Sequence, residues 1–244
     1  MNRILAVIPA FNEEKYLPGV VRSVRRHRPE LDILVVDDGS TDSTPEAARQ
    51  EGALLAQHAY NAGYGVAIQT GLKYALRHGY SFAVTLDGDG QHEPACLERI
   101  LEPCLAGKAD LVIGSRYLED LEGTGRVYRG PLLRRAGSAL FGALGGKMTG
   151  SRLTDPTSGF LALNERALRV YTADHFPDTY PDANALVLAH RAGLRILERS
   201  VTMYESPRDK KSMHAGLSPL GYVFEMLLSL GLLSLDRKSG RKIP

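Results

Sequence analysis

The sequence is poor in cysteine: 244 residues hold two, Cys96 and Cys104, both in the helical-looking stretch PACLERILEPCL. Their spacing fits neither a zinc site nor a redox motif, so reduced core thiols in a cytoplasmic protein are expected. Net charge is equally scarce. A formal +2, with 24% of residues charged, is too small to make nucleic acid the main partner. No apolar run reaches the ~20 residues of a spanning helix. The nearest, LGYVFEMLLSLGLLSL, is interrupted by Glu225 and two serines. The N-terminus, MNRILAVIPAF, enters a strand with no basic leader and no cleavage site, so no signal peptide is read. No serine stands in a G-x-S-x-G elbow, and no histidines are spaced i, i+4 as helical metal ligands are. His27 and His78 fall near predicted helix ends and read as surface residues.

What is present is an ordinary globular balance, 43% hydrophobic, long enough for one large domain with a small appendage. Apolar runs rich in Val, Ile and Leu read as strands at 3–9, 31–37, 53–57, 81–87 and 109–114, with helical patterns between them at 14–27, 42–51, 63–78 and 93–106. In STDSTPEAA, Asp42 or Ser43 is placed to accept a free backbone N–H, and Pro45 suits a first helical turn. The second half is less regular. A loop with Gly and Arg covers 115–130 and a helix 131–147; DPTSGFLAL leads into a strand, followed by a helix at 164–172, another at 180–193 and a strand at 194–203. Strand–helix alternation with continuous apolar strands predicts an α/β fold, a mostly parallel sheet flanked by helices. The expected organisation is one domain over 1–215, then an apolar C-terminal helix and basic tail over 216–244.

In such sheets ligands bind at the carboxyl ends of the strands, and there the polar residues cluster: PAFNEE after the first, DDGSTD after the second, DGDGQ after the fourth. The glycines of DGDGQ allow Asp87 and Asp89 to turn toward one hard cation, Mg²⁺ or Mn²⁺, with Gln91 as a neutral oxygen donor. A lone DxD is more often a plain turn; its position after a buried strand favours the cation. Asp37 and Asp38 suit vicinal ribose hydroxyls or a base N–H as well as an Asx turn. NAGYGVAIQTG lacks the third small residue of a dinucleotide fingerprint and follows the wrong strand, so Gly63, Gly65 and Gly71 read as helix–sheet packing.

IPAFNEE, VVDDGSTDST, DGDGQHEP, GSRY and DPTSGF, in this order, resemble the family 2 glycosyltransferases, and among them the dolichyl- and polyprenyl-phosphate mannosyl- and glucosyltransferases. The resemblance runs from about residue 3 to 215 and implies a GT-A fold, a nucleotide-diphosphate sugar donor and a divalent metal. It assigns Pro9, Phe11, Glu13 and Asp38 to the nucleoside. Asp87, Asp89 and Gln91 go to metal and diphosphate, with Gly88 allowing close backbone approach. Arg116 would reach the sugar phosphate or acceptor phosphate, and Asp155 would face the reacting sugar. The family's basic loop over the pyrophosphate corresponds to PRDKKSMH, with Arg208 and Ser212, but lacks the usual Gly. Members of this branch often carry transmembrane helices, and none is read here.

The resemblance implies transfer of a hexose with inversion to a polyprenyl phosphate, or to a hydroxyl of a glycan or small molecule. A hydroxyl acceptor requires a base, for which Asp155 and Asp182 are the candidates. A phosphate monoester, anionic near neutrality, requires positive side chains instead: Arg116, Arg126, Arg129, Arg208 and Lys211. A nucleotidyltransferase would want a Gly-rich, Arg-containing loop where PAFNEE stands. A sugar-nucleotide-binding scaffold would not need Asp87, Asp89 and Gln91. Residues 219–235 are expected to form a helix with one polar stripe (Ser218, Tyr222, Glu225, Ser229), followed by Arg237, Lys238, Arg241 and Lys242. Such a helix docks on the inner face of a membrane or a membrane partner, or packs on its own domain or a second copy in a homodimer.

Overall fold

The computed structural model describes residues 3–118, 132–174, 176–177, 179–205 and 219–239. The chain runs β1 (Ile4–Ala10), α1 (Leu17–His27), β2 (Asp32–Asp37), α2 (Thr44–Gln50), β3 (Leu54–Gln57), α3 (Tyr64–Arg77), β4 (Phe82–Thr85), α4 (Leu97–Leu105) and β5 (Leu111–Ser115). Beyond these lie α5 (Leu132–Thr149), β6 (Leu161–Asn164), α6 (Glu165–Tyr171), α7 (Ala183–Arg191), β7 (Ile196–Ser200) and α8 (Pro219–Ser239).

The seven strands form one sheet in the order β3-β2-β1-β4-β6-β5-β7. All seven residues of β1 are buried, because helices cover both faces. Side chains alternate across the sheet: Ile33 and Val35 pack with α1 and α4, while Leu34 and Val36 pack with α3, α6 and α7. In α1 the buried residues Leu17, Val20, Val21 and Val24 fall at i, i+3, i+4 and i+7, one face of a helix laid on the sheet. Cys104 is buried and Cys96 partly so, both as free thiols.

Two features of the sheet place the site. β1 is flanked by β2 on one side and β4 on the other, so the chain reverses its direction of winding there and leaves a crevice beyond their carboxyl ends. β6 is antiparallel to both neighbours, β4 and β5. Its entrance, residues 155–160, therefore lies at the same end of the sheet as the exits of β4 and β5. The remaining paired strands are parallel.

The packing reading of the α3 glycines holds at Gly71 and fails at Gly63. A Cβ on Gly71 would lie 2.2 Å from Val7 Cγ1, inside the fully buried centre of β1. Gly63 has nothing within 4 Å but a φ of +102°, so its glycine serves the backbone turn that opens α3. Gly71→Ala is expected to destabilise the protein by about 1–3 kcal/mol through overpacking. Gly19→Ala in α1, where nothing lies within 4 Å, is expected to be neutral or slightly stabilising. Urea midpoints of the two variants check this; equal midpoints would mean that α3 does not press on β1 as described.

α8 packs against α5 and α7 in a cluster of Phe141, Ala183, Val187, Met226 and Leu230. Two residues of its polar stripe face inward, Tyr222 bonding to Asp182 and Ser229 to Asn184, while Ser218 lies outside the described residues. Phe224, Leu227, Leu228, Leu232 and Leu235 are exposed on the other side. Among the described residues, no helix is long and apolar enough to cross a membrane.

Candidate active site

The loops after β1 and β2 are tied to each other. Asn12, in the left-handed region at φ 56°, accepts from the Thr41 N–H at 2.8 Å, and its own N–H donates to Ser40 Oγ at 2.9 Å. The Glu13 N–H donates to Thr44 Oγ1 at 2.7 Å, and Glu14 accepts from the Ser43 N–H at 2.9 Å. Of the two capping candidates it is Asp42 that accepts, from the Thr44 N–H at 3.0 Å; the Ser43 side chain caps nothing. Pro9 and Glu13 are buried and Phe11 half-buried along this wall.

The two aspartates that end β2 do different work. Asp38 is turned inward and accepts from His58 Nδ1 at 2.7 Å and from the N–H groups of Ala62 and Gly63 at 2.9 Å each. It thereby fixes the turn into α3, while His58 Nε2 reaches Thr70 Oγ1 at 3.0 Å. Asp37 accepts from the Ser40 N–H at 3.3 Å through Oδ1. Its Oδ2 is buried and, among the described residues, has no hydrogen-bond partner. A buried carboxylate oxygen left so is costly, and an N–H or O–H from a bound group would relieve it.

Beyond β4, Tyr64 at the start of α3 donates to Asp87 Oδ1 at 3.2 Å. The Asp87 N–H donates to His92 Nδ1 at 3.0 Å, which leaves the His92 proton on Nε2, 3.7 Å from Asp87 Oδ2. The His92 ring stacks on Phe160 with centroids 4.9 Å apart, so the imidazole is clamped. Asp89, only 6% exposed, accepts from the Gln91 N–H at 3.0 Å and from the Gln91 side-chain amide. The amide nitrogen of Gln91 is thus turned to Asp89, and it supports that carboxylate. Gly88 lies against the first loop: a Cβ there would sit 3.2 Å from the Pro9 carbonyl oxygen.

The antiparallel entrance of β6 supplies the opposite wall. Asp155, fully buried, accepts from Arg116 Nε at 2.7 Å through Oδ2 and from Nη2 at 2.7 Å through Oδ1, and the Arg116 backbone N–H adds a third bond at 3.0 Å. Arg116 Nη2 also reaches Thr157 Oγ1 at 3.0 Å. Behind the pair, Glu198 on β7 accepts from the N–H groups of Thr154 and Asp155 at 2.9 and 3.0 Å. Both oxygens of Asp155 are committed to the guanidinium, which orients Arg116 and leaves Asp155 poorly placed to take a proton.

Asp182, immediately before α7, is different. Burial pushes its carboxyl up to about 6, opposed by the Tyr222 hydrogen bond and the Arg116 charge and reinforced by Asp155 and Asp87. Tyr64 is pushed well above the usual phenol range, first by burial and then by Asp87. The cleft therefore joins oxygen donors on one wall, a held guanidinium on the other, and an acid whose carboxyl burial pushes up to about 6. Arg126, Arg129, Arg208, Lys211 and Ser212 lie outside the described residues.

Among the described residues, no three His, Cys, Asp or Glu side chains are grouped to hold a metal alone. Two carboxylates with no sulfur or imidazole ligand nevertheless fit a hard divalent cation that completes its shell with substrate phosphates and water.

A mostly parallel sheet with acidic residues at its switch point and an antiparallel strand feeding the same end is the layout of a GT-A glycosyltransferase. The chain belongs to glycosyl transferase family 2, whose model matches residues 5–172. It is 32% identical to the undecaprenyl-phosphate mannosyltransferase of Micrococcus luteus over 88% of this chain and 89% of that protein. It is 31% identical to the UDP-N-acetylglucosamine–dolichyl-phosphate N-acetylglucosaminyltransferase of Methanococcus voltae, covering 80% of this chain and 83% of the relative. Glucosyl-3-phosphoglycerate synthase of Mycobacterium tuberculosis, solved with Mn²⁺, UDP and its product, shares the fold with a TM-score of 0.68 at 24% identity, over 94% of this chain and 80% of the other.

Sequence reasoning did not single out Tyr64, His58, His92 or Glu198 as supports of the site. His92 had a signal, its place directly behind DGDGQ; Glu198, a single acid in an edge strand, had none.

Proposed function

We propose that the protein transfers a hexose, with inversion, from a nucleotide-diphosphate sugar to a polyprenyl phosphate. The observation that carries the acceptor reading is the Arg116–Asp155 pair: the cleft wall opposite the acidic turn is a fixed guanidinium, suited to an anionic acceptor. The polyprenyl- and dolichyl-phosphate relatives support it. The nucleoside would lie along Pro9, Phe11, Glu13 and the Asp37–Asp38 corner. Asp87 and Asp89 would hold Mg²⁺ or Mn²⁺, with Gln91 bracing Asp89. The bound cation would supply charge neutralisation of the departing diphosphate.

The chain's own residues do the rest. Tyr64 and His92 hold Asp87 still, and Gly88 lets the diphosphate approach the turn. Arg116 orients the acceptor for attack on the anomeric carbon from the face opposite the leaving group. Where the acceptor arrives protonated, as a hydroxyl or as the minor monoanion of a phosphate monoester with second pKa about 6, Asp182 takes the proton. Its raised pKa is what favours the second reading, transfer to a sugar hydroxyl, as the alternative.

The outer face of α8 would rest on an anionic membrane, with Arg237 and Lys238 in its last turn by sequence and Arg241 and Lys242 after it, each adding ~1 kcal/mol near the surface. One reconstitution tests both parts. Labelled GDP-, UDP- and dTDP-sugars with Mn²⁺ are offered to the protein on anionic vesicles holding polyprenyl phosphate. Expected is metal-dependent transfer of label into the lipid and co-flotation of protein with vesicles. Label appearing only in water-soluble glycans overturns the acceptor; protein staying at the bottom of the gradient overturns the docking.

A further inference from the structure

α8 does more than cover α5 and α7. Tyr222 donates to Asp182 Oδ2 at 2.6 Å, and among the described residues it is the side-chain donor to that carboxylate. Its ring is fixed edge-on against Phe141 of α5 (centroids 5.7 Å apart, 89°) and against Tyr180 (5.0 Å, 87°), so the hydroxyl has one place to point. Two further bonds hold α8 to α7 without involving Asp182. Asn184 Nδ2 donates to Ser229 Oγ at 3.0 Å, and Arg191 Nη2 to the Leu233 carbonyl at 2.7 Å. The docking of the helix therefore has its own supports, and the Tyr222 hydroxyl is spent on the acid of the cleft.

We propose that Tyr222 is a positioning residue for the transfer reaction: from α8 it holds the Asp182 carboxylate ready to accept a proton. This rests on the reading in which Asp182 takes the proton. A phenol donating to a carboxylate favours its ionised form and a single rotamer. Asp182 is faced by Arg116 beyond β5, by Asp155 before β6 and by Asp87 beyond β4. Tyr64 of α3, Tyr171 of α6 and Tyr180 before α7 also face it. Of these Arg116 alone joins Tyr222 in favouring ionisation, whereas Asp155 and Asp87 oppose it. Losing the hydroxyl therefore leaves Asp182 protonated to higher pH and less well aimed.

The test compares Tyr222→Phe, which keeps the aromatic packing, with Ser229→Ala, which weakens the same helix contact away from Asp182. At fixed Mn²⁺ and saturating substrates, Tyr222→Phe is expected to lower kcat about tenfold with little change in the donor KM. The acidic limb of its kcat–pH profile should move up by roughly half a unit to one unit. Ser229→Ala is expected to keep the wild-type profile. A carbon-13 titration of the Asp182 carboxyl, identified by its absence in Asp182→Asn, should show the same upward shift in Tyr222→Phe without substrate. The inference falls if Tyr222→Phe leaves that titration unmoved, or if Ser229→Ala reproduces its kinetic effect. A wild-type enzyme that transfers no sugar while the titration shifts as expected would overturn the proposed function and leave the Tyr222–Asp182 coupling standing.

Discussion

Asp89→Ala is expected to lower sugar transfer by about 10³-fold or more, the scale of losing a principal electrostatic stabiliser of the leaving group. The fold should survive. Asp89 is almost fully buried, yet it accepts from the backbone N–H and side-chain amide of Gln91, two residues on within the same turn. Its removal frees one backbone N–H and one side-chain amide at a strand tip, a cost of about 1–3 kcal/mol. EDTA should produce the same loss in the wild type and be reversed by Mn²⁺. Thermal melts separate the two effects: a loss of turnover with a nearly unchanged Tm supports the reading. Undiminished activity in EDTA would falsify metal dependence, and a collapse of Tm would make Asp89 a structural residue.

Asp155→Ala is expected to have the largest effect on stability, about 3–5 kcal/mol, because it strands a charge. Arg116 is only 10% exposed in its side chain and would lose both oxygens that satisfy its fork. The local backbone suffers too, since the Arg116 N–H also points at Asp155. Asp155→Asn separates positioning from proton transfer. As an Arg116-positioning group, Asp155 predicts a lower Tm and a raised acceptor KM, with the pH profile unchanged in shape. A base in that position predicts a loss of ~10²–10⁴ in kcat instead, with Tm held and the acidic limb gone. That second pattern would return the base to Asp155 and remove it from Asp182.

The strands were legible because burial on both faces of a parallel sheet demands unbroken runs such as ILAVIPA and DILVVD. The helices were legible from their period: α1 and α3 begin and end within a few residues of expectation. Gly63 was misread because packing and positive φ both call for glycine, and spacing cannot tell them apart. The carboxylates at the ends of β2 and β4 stood out because polarity at the tip of a buried strand has few structural uses. Their orientation did not. Asp38 spends its oxygens on His58, Ala62 and Gly63, from a segment twenty and more residues away.

Sequence by itself thus determined the α/β class, the strands and helices, and which loops carry the chemistry, because these follow from local periodicity and from the residue types that strand ends tolerate. Tertiary structure alone decided the strand order, the reversed direction of β6, the closure of Arg116 onto Asp155 across 39 positions, and the reach of Tyr222 from α8 to Asp182. The physical reason is the same in each case. Strand order and long-range ion pairs are settled by which surfaces bury together and which buried charges find partners, and no local pattern in the chain encodes a partner that distant in sequence.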